Sequence, residues 1–159
     1  MTPEQRQKIE QLYLEMHDPL LAYARSSLDN ESLAEEAVQE TFSIACTKPN
    51  DLLTCSKPKG WLVLTLKNTI RNMKRNIASA NRLLIAYTAL HGSEAAFSED
   101  KLSLDLTYGN VSPSEDFKLL KEMAVEGKSH LEMAQARGIS VDACKKRVER
   151  AKKKLRKKI

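Results

Sequence analysis

The stretch SHLEMAQARGISVDACKKRVERAKKKLRKKI, Ser129 to Ile159, is where the fold can be read most directly. Ser129-His-Leu-Glu132 has the spacing of a capping box, in which a Ser hydroxyl and a Glu carboxylate satisfy each other's backbone N–H and open a helix. Met133 and Ala134 follow on that helix, and Gly138-Ile139-Ser140 then reads as a short turn. Ser140 is placed to cap a last helix, with Cys144, Val148, Ala151 and Leu155 recurring at helical spacing as its inner face. Two helices joined this tightly need a small residue where they cross, a residue tolerant of positive φ in the turn, and apolar anchors on the second helix. Ala134, Gly138 with Ile139, and Cys144 with Val148 supply these in order, which predicts a helix-turn-helix.

The charge of that last helix gives the motif its chemistry. Val141 to Ile159 carries ten Lys or Arg against Asp142 and Glu149, whereas the whole chain of 159 residues has a net charge of only +5, so the remainder is net acidic. The first turn, with Val141, Asp142 and Lys145, would face base edges in a major groove, and Lys146, Arg147, Arg150, Lys153 and Lys154 would mostly meet phosphates. A charged amphipathic helix on the surface of a bundle would show the same run of cations. The turn in front of it is what favours duplex DNA.

Working back toward the N-terminus, helical signals dominate and strand-like alternation is nearly absent. Ser112-Pro113-Ser114-Glu115 is a capping box with Pro in the first turn, Phe117, Leu120 and Ala124 follow as a buried stripe, and Gly127 should end that helix. Residues 93–111 hold few branched apolar residues, several acids (Glu94, Glu99, Asp100, Asp105), Gly109 and Asn110, and read as a flexible interdomain linker. Before it, Leu62, Leu66, Thr69, Met73 and Ile77 form one face of a long helix from Trp61, and Asn68, Arg71, Asn72, Lys74 and Arg75 lie on its polar, cationic side. Pro49 to Pro58 reads as a loop. Ser32-Leu-Ala-Glu35 is expected to cap a helix that carries Leu33, Ala37, Val38, Thr41 and Phe42 inward, and Thr2-Pro3-Glu4-Gln5 to cap a first helix that Asp18-Pro19 could interrupt. The expected architecture is all-α: two small helical domains, 1–92 and 112–159, joined by the linker 93–111.

Composition limits the function. Residues 1–40 carry nine acids against Arg6, Lys8 and Arg25, while residues 60–93 carry five bases and no acid. That asymmetry suits one acidic face for a protein partner and two basic faces for phosphates. No apolar run approaches bilayer length, so neither membrane insertion nor secretion is expected. Cys46, Cys55 and Cys144 are an odd number without CxxC spacing, and His17, His91 and His130 lack ligand spacing, which argues against a disulfide framework and a zinc site. A reducing cytoplasm fits best. No nucleophile, base or metal set converges, so neither enzyme activity nor a cofactor is expected.

The chain resembles the bacterial sigma factors, specifically the small two-domain extracytoplasmic-function (ECF) group. Leu12-Tyr13, Leu20-Leu21, Tyr23-Ala24-Arg25 and Leu28, then Ala34-Glu-Glu-Ala37-Val38-Gln39-Glu40-Thr41-Phe42, are similar to sigma region 2, with Gln39-Glu40-Thr-Phe42 the most specific part. Pro58-Lys-Gly-Trp61-Leu62 and the Asn68 to Arg75 face continue the pattern, and 127–156 is similar to region 4. The resemblance implies that Glu35, Glu36, Gln39 and Glu40 dock on the clamp coiled coil of core RNA polymerase, with the polymerase flap a further contact. It implies that the loop 47–56 and the face bearing Asn68, Arg71, Asn72, Lys74 and Arg75 engage an opened minus-ten promoter element. The last helix would read the minus-thirty-five element, and an anti-sigma factor is a further partner the resemblance allows. Leu64 and Asn72 stand where basic and acidic residues are frequent in that group, and Val141-Asp142-Ala143-Cys144 departs from its commoner Glu-Gly-Thr-Val. The competing reading is a helix-turn-helix regulator that binds duplex DNA without polymerase and uses its N-terminal bundle to dimerise or sense.

Overall fold

A computed structural model describes residues 1–91 and 112–159, with side chains for 1–90 and 115–159. Among the described residues there are seven helices and no strand, so the protein is all-α. The chain divides into two compact units, Met1–Lys74 and Arg75–Ile159. The expected linker, 93–111, lies outside the described residues.

In the first unit, α1 (Pro3–Leu28) starts as the sequence predicts. The Gln5 N–H donates to Thr2 Oγ1 at 3.2 Å, and the Thr2 N–H donates to Gln5 Oε1 at 3.0 Å. Asp18-Pro19 does not interrupt this helix, which runs through Pro19 unbroken. Leu20, Leu21 and Ala24 just beyond it are buried, and that packing offsets the backbone hydrogen bond a proline removes. Asp29 ends α1 in the left-handed region at φ 51°, and Asn30 then caps α2 (Glu31–Thr47) by accepting from the Leu33 N–H at 3.0 Å. The cap is therefore Asn30 and not Ser32. An Asn in extended backbone directly after the left-handed residue satisfies the first-turn donors two positions earlier. Arg25 clasps Glu31 across this corner with two hydrogen bonds of 2.6 Å.

The segment expected to be a loop contains a helix, α3 (Pro49–Thr54). Pro49 occupies its first turn, where a missing N–H costs nothing, fully buried Leu52 anchors it, and Asn50 Oδ1 accepts from Gln5 Nε2 at 2.6 Å. The next helix, α4 (Pro58–His91), begins three residues ahead of Trp61. Its inner stripe holds Leu62, Leu66, Thr69 and Ile70 buried, with Met73 and Ile77 half-buried. The core of the first unit joins this stripe to Ile9, Leu20, Ala37, Val38 and Leu52.

The second unit takes in the end of α4, where Ala80, Leu84 and Tyr87 continue the stripe and are buried. They join a core formed with α5 (Ser112–Ala124), α6 (His130–Arg137) and α7 (Val141–Lys158). Tyr87 and Phe117 meet at a ring-centroid distance of 5.7 Å. Helix α5 stops as expected before Gly127, at φ 68°. The Ser129–Glu132 capping box is formed in both directions, with hydrogen bonds of 3.1 and 3.3 Å. Gly138, at φ 64°, ends α6, and Ser140 caps α7 by accepting from the Ala143 N–H at 3.1 Å. Met133, Ala134, Cys144, Val148 and Leu155 are part of the same core. The side chains of 112–114 lie outside the described set, and the capping box expected there with them.

Candidate partner and nucleic-acid faces

Three helical faces carry the expected site residues, each set by which side of its helix is buried. On α2, Ala34, Ala37, Val38, Thr41 and Phe42 point inward, which turns Glu35 and Gln39 fully outward and leaves Glu36 and Glu40 half-buried at the margin. The Thr41 hydroxyl donates to the Ala37 carbonyl at 2.9 Å, so the one polar member of the inner stripe is satisfied locally. Phe42 belongs to the core, in edge contact with Tyr13 at 4.8 Å. At the head of the same helix the Arg25 guanidinium, hydrogen-bonded to Glu31, holds that carboxyl below its ordinary range.

On α4, Asn68, Arg71, Asn72, Lys74 and Arg75 are all exposed on consecutive turns. Asn68 and Asn72 also line a cleft of about 340 Å³ in the first unit, together with Lys48, Asp51, Trp61, Leu64 and Thr65. Trp61 is half-buried and packs against the core, so it is wall rather than free platform. Leu64 is 60% exposed at the same cleft. Lys48 and Asp51 were not singled out by sequence. They lie within 47–56, the stretch that the resemblance placed as a loop at the minus-ten element without naming either residue, and both line this cleft beside α4. Lys67 extends over the Tyr23 ring at 5.7 Å, a cation–π contact on the outer surface.

On α7, Asp142, Lys146, Arg147, Arg150, Lys153 and Lys154 are exposed, and Lys145 is half-buried. Val141 packs against the core, so part of its surface is committed to the fold. The cation that sequence did not separate from its neighbours is Lys152, only 3% exposed, with its amine 3.8 Å from Glu149. It sits at i+4 from Val148, on the side of α7 that faces inward. Burial lowers its pKa below the ordinary lysine value, and Arg156 adds to this while Glu149 opposes it.

Among the described residues, no group of three or more His, Cys, Asp or Glu is placed to hold a metal ion. Cys46 is exposed, Cys55 half-buried and Cys144 buried, and none of the three is in a disulfide. No described helix is long and apolar enough to cross a membrane.

The geometry defines an all-helical protein with an acidic face on α2 and cationic faces on α4 and α7. Residues 12–79, which span most of the first unit and the acidic and first cationic faces, match the family model of Sigma-70 region 2. That match supports a place among the sigma factors, which bind RNA polymerase and promoter DNA. No curated protein and no solved structure matched the chain.

Proposed function

We propose that this protein is a sigma factor of the ECF group, which binds core RNA polymerase and directs promoter recognition, DNA opening and initiation. The observation that carries the proposal is the coincidence, within the region 2 match, of an outward acidic face on α2 with a cationic face and cleft on α4. Glu35, Glu36, Gln39 and Glu40 dock on the clamp coiled coil, where acid facing base speeds and orients association. Asn68, Arg71, Asn72, Lys74 and Arg75 hold the separated minus-ten strand. The neighbouring cleft receives an unstacked base, at a cost of a few kcal/mol that contacts to the single strand must offset. Helix α7, with Val141, Asp142 and Lys145 toward base edges and Lys146, Arg147, Arg150, Lys153 and Lys154 toward phosphates, reads the minus-thirty-five element. In this reading 1–92 is the region 2 domain, 93–111 a linker and 112–159 the region 4 domain, and the protein itself performs no catalysis.

The test is promoter-dependent transcription with purified core polymerase and the full chain. Start-site selection that depends on the chain supports the reading. Duplex binding without polymerase association or start-site selection would instead identify a plain helix-turn-helix regulator.

A further inference from the structure

Two lysines of α4 lie against α1 in the first unit, and α1 meets them with different chemistry. Lys59 Nζ is 3.2 Å from Glu15 Oε2, an ion pair that offsets its charge. Lys67, two turns further along α4, holds its ammonium over the Tyr23 ring, 5.7 Å from the centroid. Glu15 and Tyr23 are separated along α1 by the same number of residues as Lys59 and Lys67 along α4, about 12 Å of helix rise in each case, so the two contacts follow one another along a single seam. Among the described residues no acid pairs with Lys67.

The two contacts differ in what they leave for an incoming anion. A carboxylate carries a full opposite charge and competes with phosphate for the ammonium. An aromatic ring attracts a cation through its quadrupole and has no net charge, so Lys67 is restrained yet keeps its whole charge for a phosphate. Restraint matters for a lysine, because its long stem otherwise loses rotamer freedom when the amine is fixed on a ligand. Tyr23 is 41% exposed, so its ring holds the ammonium at the surface. Lys67 also shares a side of α4 with Arg71 and Lys74, at i, i+4 and i+7, and all three are exposed.

We propose that Lys67 is a further phosphate contact of the minus-ten face and that Tyr23, from α1, is its positioning residue. This rests on the reading of α4 as the helix that holds the separated strand. The pair carries the cationic stripe one turn back from Arg71 along α4. Its contact is with the DNA backbone, so it adds affinity and register without choosing sequence.

The experiment measures the affinity of the full chain for a mixed-sequence single-stranded oligonucleotide across a salt series. Lys67→Gln is expected to make the slope of log affinity against log salt shallower by about 0.7, one phosphate on a single strand, as Arg71→Gln should. Lys59→Gln, at the paired end of the seam, should leave the slope nearly unchanged. Tyr23→Leu should weaken binding about two- to fivefold, the scale of an exposed cation–π contact, and Tyr23→Phe, which keeps the ring, should retain native affinity. In the Lys67→Gln chain, Tyr23→Leu should cost nothing further, as a merely structural role for the ring would not require. A slope that Arg71→Gln lowers and Lys67→Gln does not overturns the proposal alone. So do equal effects of Lys59→Gln and Lys67→Gln, a comparison of two exposed positions that decides the matter if Tyr23→Leu does not fold. A Tyr23→Leu loss of the same size with and without Lys67 overturns the role of the ring. No single-strand binding by the native chain, or binding that neither Arg71→Gln nor Lys67→Gln changes, overturns the minus-ten reading of α4 together with the proposal.

Discussion

Gly138, Glu31 and Lys152 show how single positions support the structure for different physical reasons. At Gly138 an added Cβ would meet nothing within 4 Å, so the requirement is one of backbone conformation alone, at φ 64°. Gly138→Ala should therefore destabilise the second unit by about 1 kcal/mol through left-handed strain, read as a lower denaturant midpoint with an unchanged denaturant slope. Glu31 titrates below its ordinary value near 4.5 because Arg25 donates to its charged form. A carboxyl with a depressed folded pKa adds stability above the unfolded value and loses it as pH falls through the folded one. Glu31→Gln should therefore flatten the acid limb of the stability profile below about pH 4.5 and leave the limb above pH 7 alone. The sign at Lys152 is the reverse: burial lowers the pKa of a base, so the charged form is penalised in the folded state until pH rises through the folded pKa toward 10.5. Lys152→Met keeps the aliphatic stem and drops the charge. It should raise the thermal midpoint at neutral pH, with a gain of about 1 kcal/mol, and the gain should shrink as pH approaches the folded pKa.

The helices were legible wherever local chemistry decides them. The capping boxes at Thr2 and Ser129, the Ser140 cap and the glycine stops at 127 and 138 were all readable because each depends on residues within a turn of one another. Three features at this scale were not. Pro19 inside α1 is tolerated because of burial on its flanks, which only the packed bundle supplies. Asn30 outcompetes Ser32 as a cap because Asp29 takes a left-handed conformation and Arg25 reaches Glu31, a contact across a corner. Helix α3 has one buried anchor, Leu52, too little to form a period. The end of α4 carries a stability consequence. Ala80, Leu84 and Tyr87 are buried in the core of the second unit, so a fragment beginning at 112 leaves apolar surface uncovered that a fragment beginning at 75 retains. The shorter fragment should melt at lower temperature, and Tyr87→Ala in the longer one should cost about 3 kcal/mol in equilibrium unfolding.

Across the whole molecule, the sequence revealed the faces through their charge but not the depth at which each charge sits. Nine acids before residue 41 and ten bases after residue 140 could be counted, and the outward Glu35 and Gln39 and the exposed Arg147 and Lys153 followed from periodicity. That Lys154 is shared with Asp116 depends on packing between α5 and α7, which no count along one helix contains, whereas Lys152, four residues after Val148, is buried on the inward side of its own helix. The acidic face of α2 and the basic face of α7 lie on different units, so the functions of these two faces should separate experimentally. Gln39→Ala with Glu40→Ala removes one exposed and one half-buried polar group from α2 and none from α7. It should weaken association with core polymerase roughly tenfold or less, the scale of rim contacts, and leave the duplex affinity of the full chain and its salt slope unchanged. Arg147→Ala with Lys153→Ala should do the opposite in the full chain. Polymerase association should hold, while the salt slope for duplex binding falls by up to about 1.8, two phosphates' worth. Because both faces belong to one chain, promoter-directed transcription should suffer under either pair, whereas each binding assay should respond to only one. Loss of both binding activities from either double substitution, with the helical fold retained, would mean that the two faces do not act as separate contacts.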